Sequence, residues 1–156
     1  PFGVGDVIKV AGEVGGVNEI GLFSVTLDTL DNRRIIIPNG VVFGGTLENI
    51  THHPIRRVDV AVGVDYSADI DETRKVLLEA CKSVKNVILD DEDHAPNPYL
   101  TNLGDSSVNW SVRVFCNTGD YWAVRQDLTR AVKMGLDAAG IGIPFPQIVV
   151  HREDAA

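Results

Sequence analysis

Glycine is unevenly distributed along this chain of 156 residues, and its distribution divides the sequence into two regions. Nine of the 15 glycines lie in residues 1–53, and only six lie in the remaining 103 residues. Glycine pairs such as Gly15-Gly16 and Gly44-Gly45 supply the bends and bulges that a small, strongly curved β-barrel requires. We therefore expect two domains, residues 1–53 and 54–156, with a boundary near His52-His53-Pro54.

The first region consists of short apolar segments separated by turn residues. Asp31-Asn32 favours a tight hairpin between two of these segments, because both residue types tolerate positive φ. Five short strands at this spacing predict a small closed or nearly closed β-barrel. The predicted strands are DVIKVA, EVGGVNEI, LFSVTLDTL, RRIIIP and TLENIT.

The second region has longer periodic segments. RRVDVAVGV alternates strictly and predicts a half-buried strand, and DIDETRKVLLEACKSV predicts an amphipathic helix in which Asp69 and Glu72 resemble a capping box. A hairpin around Gly104-Asp105 follows, then a helix over about 120–139 that Gly140 ends, and then a last strand, QIVVHR. This order, β-α-β-β-α-β, is that of a ferredoxin-like fold, so the chain as a whole is predicted to be α+β. The expected inward-facing residues are Val58, Val60, Val62, Val64, Ile70, Thr73, Leu77, Cys81, Val84, Val108, Trp110, Val112, Val114, Cys116, Val124, Leu128, Val132 and Leu136.

Charge and cysteine content argue against several classes of protein. The chain carries 22 acidic and 14 basic residues, a formal net charge of −8, which opposes nonspecific nucleic-acid binding and a polybasic membrane anchor. Cys81 and Cys116 are too few for a disulfide framework and match no metal-binding spacing, so we expect buried apolar thiols in a reducing compartment. The sequence contains no run of about 18 apolar residues and no signal peptide.

No residue pattern in the sequence predicts catalysis, a cofactor or a metal. The acidic run DDEDH, residues 90–94, lacks the loop pattern of an EF-hand, so a solvated acidic loop is expected there. His52 and His53 would point to opposite faces if they lay on a strand, which disfavours a shared metal and favours an exposed hinge. The segment GEVGG is not followed by the Gly-Lys-Ser/Thr of a phosphate-binding loop.

The small size of the first region predicts self-association. A barrel of about 50 residues buries too little surface to be secure alone. The edges of its sheet would also be exposed to other chains. Both problems disappear if copies pair side by side into a ring, so we expect an oligomer.

The stretch RRIIIPNGVVFGG, residues 33–45, connects these observations to a known family. Together with PFGVGDVIKVAGEVGGVNEIGLFSVTL, DNRRIIIPNG, ENIT, RRVDVAVGVDY and GIPFPQ, it resembles the cytoplasmic part of small-conductance mechanosensitive channels of the MscS family. The resemblance runs in the same order from Pro1 to about Val150. It implies an Sm-like β domain followed by a ferredoxin-like αβ domain.

The resemblance also implies a function. In this family, a pore-lining helix ends just before the segment that corresponds to Pro1-Phe2, and the domains of a homoheptamer form a hollow cage beneath the bacterial inner membrane. Ions and small osmolytes cross this cage when membrane tension opens the pore during hypo-osmotic shock. The present chain would support assembly and the ion path, and it would contact lipid only through transmembrane helices that precede Pro1. Because little sequence follows Val149-Val150, the resemblance leaves open whether the cage's bottom β-plug is complete.

The resemblance assigns structural roles to particular residues. A turn formed by Pro38, Asn39 and Gly40 would use the fixed φ of proline, the capacity of asparagine to bond its own backbone, and positive φ at glycine. A crossover segment would follow and bury Val41 and Phe43 against a wall or a neighbouring subunit. The complete motif assigned to turning and subunit packing is Pro38, Asn39, Gly40, Val41, Phe43 and Asn49, and the residues expected to border the ion path are His52, His53 and Asp59.

Two other classes of protein remain as alternatives. The chain could be an Sm-like oligomeric RNA-binding module, although its charge of −8 and its lack of a basic patch oppose this. It could also be an enzyme built on the ferredoxin-like domain, but no nucleophile–base pair or metal cluster supports that interpretation. We therefore expect no enzymatic activity, no cofactor and no nucleic-acid partner.

Overall fold

Five antiparallel strands form the sheet of the first 54 residues. The structure is a computed structural model that describes residues 1–153 of the chain. Each strand lies within one of the five segments predicted as strands, so that prediction is confirmed. The order across the sheet is β4-β3-β2-β1-β5, in which the last strand returns to pair with the first. The strands are β1 (Val7–Val10), β2 (Glu13–Ile20), β3 (Ser24–Asp28), β4 (Arg34–Pro38) and β5 (Leu47–Asn49).

The first unit, Pro1–Pro54, has a core made mainly by alternate residues of its strands. Strands β1 to β4 each bury residues of one face, because successive side chains of a strand point to opposite faces. Gly15 lets β2 approach β3 closely, since a Cβ at that position would lie 2.9 Å from the carbonyl oxygen of Asp28. The register with β3 shifts slightly further along, between Val17 and Glu19. The buried residues are Ile8, Val10, Val17, Val25, Leu27, Ile37 and Val42.

The sheet of the first unit is open. Strands β4 and β5 stand at its opposite ends, and within residues 1–153 no hydrogen-bond ladder joins them. The closed form of the predicted barrel is therefore excluded, and an open Sm-like arrangement of five strands is what the chain forms. The hairpin between β3 and β4 uses Asn32 in the left-handed region, with φ of 66°, as its sequence predicts.

The segment after β4 is helical, which corrects the prediction that Pro38, Asn39 and Gly40 form a turn. Helix α1 spans Asn39–Phe43, and Gly40 lies within it, without the positive φ predicted for it. Val42 is buried, whereas Val41 and Phe43 are 48% and 62% exposed. The predicted burial of Val41 and Phe43 against a neighbouring wall or subunit stays a prediction. Neighbouring residues of a helix point about 100° apart, so a single turn resting on the sheet buries only one of three consecutive side chains.

The second unit, which begins at Ile55, is a three-stranded antiparallel sheet with two helices packed against it. The sheet order is β6-β8-β7, so the third strand of the unit lies between the first and the second, as in a ferredoxin-like fold. This confirms the predicted order of elements up to the second helix. The elements are β6 (Ile55–Val64), α2 (Ile70–Ser83), β7 (Asn97–Leu103), β8 (Val108–Asn117) and α3 (Tyr121–Ala138).

The core and the helix ends of the second unit follow the sequence pattern closely. Asp69 caps α2, its Oδ1 accepting a hydrogen bond of 2.8 Å from the backbone N–H of Glu72. Gly140, with φ of 69°, ends α3, and its N–H donates to the carbonyl of Asp137. All the predicted inward-facing residues are buried or packed on the core except Ile70, which is 43% exposed because it is the first residue of α2.

The predicted last strand, QIVVHR, is not a strand, and this corrects the sixth element of the ferredoxin-like order. Residues 141–153 have no regular secondary structure, and only Ile141 of them is buried. The six residues of QIVVHR contain no proline, but no strand within residues 1–153 pairs with them, and a β-strand needs a partner for its backbone N–H and C=O groups. Ile148, Val149 and Val150 consequently remain 87%, 80% and 77% exposed. The last three residues of the chain, which bear on the β-plug question, lie outside the described residues.

Candidate functional site

Asn39 joins helix α1 to the turn between β2 and β3. Its backbone N–H donates to the carbonyl of Phe23 at 2.9 Å, and its side-chain Nδ2 donates to the carbonyls of Gly21 and Leu22 at 3.1 and 2.9 Å. The sequence predicted that Asn39 would bond its own backbone; it instead bonds a turn 17 and 18 residues away. Pro38 makes this contact possible, because it pairs with Ser24 in the ladder and so places the next residue beside the turn.

The turn held by Asn39 presents two large apolar side chains outward. Leu22 is 84% exposed and Phe23 is 81% exposed. On the neighbouring strand β4, Ile36 is 66% exposed, because its alternation with the buried Ile37 directs it away from the core. The pattern Gly-Leu-Phe directly after a strand was the sequence signal for this feature, since apolar residues are unusual in a turn. Sequence reasoning missed it by assigning Leu22 and Phe23 to a strand.

The two ends of the first unit's sheet carry unpaired edges. Each of β4 and β5 has one neighbouring strand within the described part of the chain, so one side of each is open to hydrogen bonding. The two edges are different surfaces, and pairing between β4 of one copy and β5 of the next would be heterologous. Heterologous contacts generate closed rings when the rotation between copies closes, and filaments when it does not. This geometry can therefore support a ring without any change of fold.

Asn49, the last residue of the predicted motif, bonds the N-terminal segment. Its Nδ2 donates to the carbonyl of Pro1 at 3.1 Å and to Oδ2 of Asp6 at 3.0 Å. The backbone N–H of Gly3 donates to the same carboxylate oxygen at 2.9 Å. The Gly3 N–H, the Asn49 amide and, more weakly, His52 hold the pKa of Asp6 below its ordinary value. Sequence reasoning named Asn49 but missed Asp6.

The residues expected to border an ion path lie in different units. The rings of His52 and His53 contact each other edge to face, with centroids 4.9 Å apart, in a bend rather than on a strand. Both residues are exposed and lie outside any strand, so the opposite-face argument does not apply to them. Asp59 belongs to β6, where Arg57 binds it in a bidentate pair with distances of 2.7 and 3.0 Å. Their role beside an ion path stays a prediction.

The acidic run and the two cysteines have structural explanations. Asp91, in the acidic run, accepts a hydrogen bond from the backbone N–H of Asp93 at 3.0 Å, and its other carboxylate oxygen contacts Nδ1 of His94 at 2.5 Å. The contact with His94 is the main cause of the lowered pKa of Asp91. Burial raises the pKa of Cys81 to about 12 and also raises the pKa of Cys116, which opposes formation of a reactive thiolate. Across residues 1–153, no three His, Cys, Asp or Glu side chains lie close enough together to hold a metal ion.

Comparison with known protein families covers both units of the chain. The family model described as "Mechanosensitive ion channel MscS, C-terminal" matches residues 58–143. The model described as "Mechanosensitive ion channel, beta-domain" matches residues 1–52. The matched residues contain nearly all the strands and helices described above. Of the helices formed by residues 1–153, none combines the length and the apolar character needed to cross a membrane.

Individual relatives agree with the family models. A small-conductance mechanosensitive channel of Edwardsiella ictaluri is 42% identical over 155 residues, which are 99% of this chain and 53% of that protein. An uncharacterised MscS family protein of Synechocystis is 41% identical over 150 residues, 96% of this chain and 50% of that protein. The chain thus spans about half the length of these curated relatives.

Solved structures show the same fold. The crystal structure of Helicobacter pylori MscS in a closed state matches with a TM-score of 0.90 and 28% identity, over 99% of this chain and 60% of that one. The cryo-EM structure of Arabidopsis thaliana MSL1 matches with a TM-score of 0.69 over 93% of this chain and 53% of that one. At 20% identity, the second match bears on the fold alone.

Proposed function

This chain belongs to the MscS family of mechanosensitive ion channels, and from that premise we propose that it is the cytoplasmic portion of a channel opened by membrane tension. The full-length protein would lie in the bacterial inner membrane and release ions and small osmolytes during hypo-osmotic shock. Its contact with the lipid bilayer would be made by helices that precede Pro1. The proposed role is that of a channel part, and it includes no enzymatic reaction and no cofactor.

The observation that carries this proposal is the pair of unlike open edges on one sheet. Strands β4 and β5 each lack a second neighbour within the described residues, and Ile36 beside one of these edges is 66% exposed. Pairing β4 of one copy with β5 of the next would use both edges of every copy in a ring. We propose a homoheptamer, the assembly implied by the family resemblance. The residues given subunit-packing roles, Val41 and Phe43 of α1, are exposed enough to contact a neighbouring copy.

We propose the domain division together with this assembly. Residues 1–53 would be the Sm-like domain that forms the ring, and residues 54–156 the ferredoxin-like domain that builds the cage wall. His52, His53 and Asp59 are proposed to border the ion path. Replacing all three by alanine should change the ion selectivity of the full-length channel, whereas unchanged selectivity would remove this assignment.

The assembly is tested on the chain itself. Size-exclusion chromatography with multi-angle light scattering should give a discrete mass close to that of a heptamer. A particle with the mass of one chain at high concentration would contradict the ring. Filter binding with single-stranded RNA tests the alternative function, and retention of RNA at physiological salt would favour it over the channel.

The channel function is tested on the full-length protein. Patch-clamp recording of membranes that contain it should show conductance that rises with applied suction. Cells that lack their own mechanosensitive channels should also survive hypo-osmotic shock better when they express it. A full-length protein that reaches the membrane but gives no tension-dependent conductance would contradict the proposal.

A further inference from the structure

The N-terminal segment of the first unit is held by polar contacts that meet at a single carboxylate. Oδ2 of Asp6 accepts from the Gly3 N–H at 2.9 Å and from the Asn49 side chain at 3.0 Å. The same Asn49 amide also donates to the carbonyl of Pro1 at 3.1 Å. One asparagine on an edge strand therefore contacts both the first residue of the chain and the carboxylate that anchors the third.

An apolar contact beside this network joins the same segment to α1. The ring of Phe2 stacks on that of Phe43, with centroids 6.1 Å apart and an interplanar angle of 21°. Phe2 is also packed against the core of the first unit. The segment that leads into β1 thus contacts α1 through Phe2 and β5 through Asn49. Both are parts of the unit proposed to touch neighbouring copies.

Strand β5 is weakly held compared with the centre of the sheet. Within residues 1–153 it pairs only with β1, over three residue pairs, and the ladder is extended by a hydrogen bond from the Ile50 N–H to the carbonyl of Val7. The N–H of Val7 in turn donates to the Thr51 hydroxyl at 2.9 Å. A short edge strand with few partners is displaced more readily than the two-sided strands β1, β2 and β3. Residues 1–6 also lead directly into β1 and bond β2, since the Gly5 N–H donates to the carbonyl of Val17 at 2.9 Å and the Val17 N–H donates to the carbonyl of Asp6 at 2.7 Å. Of the strands that a force on this segment reaches, β5 is the one held by the fewest ladder partners.

We propose that Asp6 and Asn49 are positioning residues that clamp the N-terminal segment to β5, so that displacement of the segment is transmitted to the edge shared with a neighbouring copy. The inference deepens the proposed channel function and rests on it, since the displacement would come from a pore helix that precedes Pro1. It gives Asn49 a part in gating in addition to its proposed part in subunit packing. It gives Asp6 the same part in gating. Neither residue would touch the permeating ion.

The clamp itself is tested by amide hydrogen exchange on the 156-residue chain. Asp6→Asn keeps the side-chain size but weakens the acceptor for Gly3, and Asn49→Ala removes the donor to Pro1 and Asp6. Either change should speed exchange of the Gly3 amide about three- to tenfold, the range expected for loss of one hydrogen bond. The double variant should exchange no faster than the faster single variant, because both residues act in one network. The clamp would be overturned if Gly3 exchanged at the parent rate in both single variants. It would also be overturned if the rate increase in the double variant equalled the product of the two single increases.

Asp28→Asn is the matched control. Asp28 lies in the same sheet and has a carboxylate whose pKa is lowered, mainly by its bond to Arg34, but it binds β4 instead of the N-terminal segment. Its replacement should leave Gly3 exchange unchanged. Far-UV circular dichroism of all variants should match the parent chain. A variant that loses its strand signal would be replaced by Asp6→Glu, which is expected to restore slow exchange only in part because the carboxylate is displaced by one methylene.

The transmission is tested in the full-length protein by patch-clamp recording. Asp6→Asn and Asn49→Ala should shift the midpoint of activation to higher tension, whereas Asp28→Asn should not. Faster Gly3 exchange with an unchanged midpoint would overturn the transmission step while leaving the proposed channel intact. An absence of tension-dependent current in the parent protein would contradict the proposed function. The exchange measurements would still show whether Asp6 and Asn49 hold the N-terminal segment on β5.

Discussion

Asn39 illustrates how one side chain organises the first unit. Its amide satisfies two carbonyls of the β2–β3 turn, at 3.1 and 2.9 Å, while its backbone N–H satisfies a third. Turn carbonyls need partners because unpaired backbone groups that lose contact with water cost free energy. The same contacts hold the turn that carries the exposed Leu22 and Phe23. Asn39 therefore contributes both to local stability and to the apolar surface that this turn presents.

Replacing Asn39 by alanine should lower the free energy of unfolding by about 1–2 kcal/mol, because two hydrogen bonds from its side chain are lost. Urea unfolding followed by far-UV circular dichroism measures the change. Asn117→Ala provides the control, since that exposed asparagine makes no capping hydrogen bond and should cost less than about 0.5 kcal/mol. Equal destabilisation by the two variants would contradict a specific role for Asn39.

Cys81 should be chemically silent in the folded chain. Its side chain is fully buried and its pKa is raised to about 12, so the reactive thiolate is scarce at pH 8. A thiol reagent such as DTNB at pH 8 should react with neither Cys81 nor the buried Cys116 until denaturant is added. Rapid labelling of two thiols in the native chain would contradict this burial.

The raised pKa of Cys81 also has a consequence for stability. Because folding favours the neutral thiol, the contribution of this group is complete below its ordinary pKa of 9.0. It is lost as the pH rises from 9.0 towards about 12. Replacement of Cys81 by alanine should therefore flatten the fall in stability with alkaline pH, which urea unfolding at several pH values would measure.

At the scale of elements, the spacing of apolar residues accounts for helix α3 and strand β8 of the second unit. Helix α3 buries Val124, Leu128, Val132 and Leu136, each four residues apart, and β8 buries every second residue from Val108 to Cys116. These two stripes face each other across one core. The stability of the unit should therefore depend strongly on single apolar side chains along them and weakly on the residues between them.

Leu128→Ala should destabilise the second unit by about 2–5 kcal/mol, because truncating a fully buried leucine loses transfer energy and leaves a cavity. Gln126→Ala, on the exposed side of the same helix, should change stability by less than about 0.5 kcal/mol. Trp110 is buried in the same core and makes its fluorescence a suitable probe of urea unfolding. Similar effects of the two substitutions would show that α3 does not pack as described.

At the scale of the whole molecule, the first unit exposes more apolar surface than a lone domain of its size would be expected to keep. Phe23, Ile36 and Phe43 are 81%, 66% and 62% exposed, and two sheet edges are open within the described residues. Exposed edges and apolar surfaces are usually covered or charged in monomeric proteins. This combination indicates a surface that another copy of the chain covers, in agreement with the proposed ring.

Ile36→Lys should therefore reduce self-association while leaving the isolated fold intact, because the added charge would be buried only in the assembly. Light scattering should show a shift towards the single-chain mass, and circular dichroism should be unchanged. Val14→Lys is the control, since Val14 is 39% exposed on β2, a strand with neighbours on both sides and so away from the open edges. If Ile36→Lys assembles as well as the parent chain, this surface is not part of the interface.

The sequence by itself determined the strand segments, both long helices with their caps, and the buried residues of the second unit. It could do so because period, capping residues and glycine positions act locally, within a few residues. Tertiary structure decided the features that depend on distant partners. Asn39 bonds a turn on another hairpin, and Asp6 meets Asn49 only because β5 returns beside β1. Residues 147–152 are strand-like in composition, yet within the described residues no other strand pairs with them, so the predicted strand does not form.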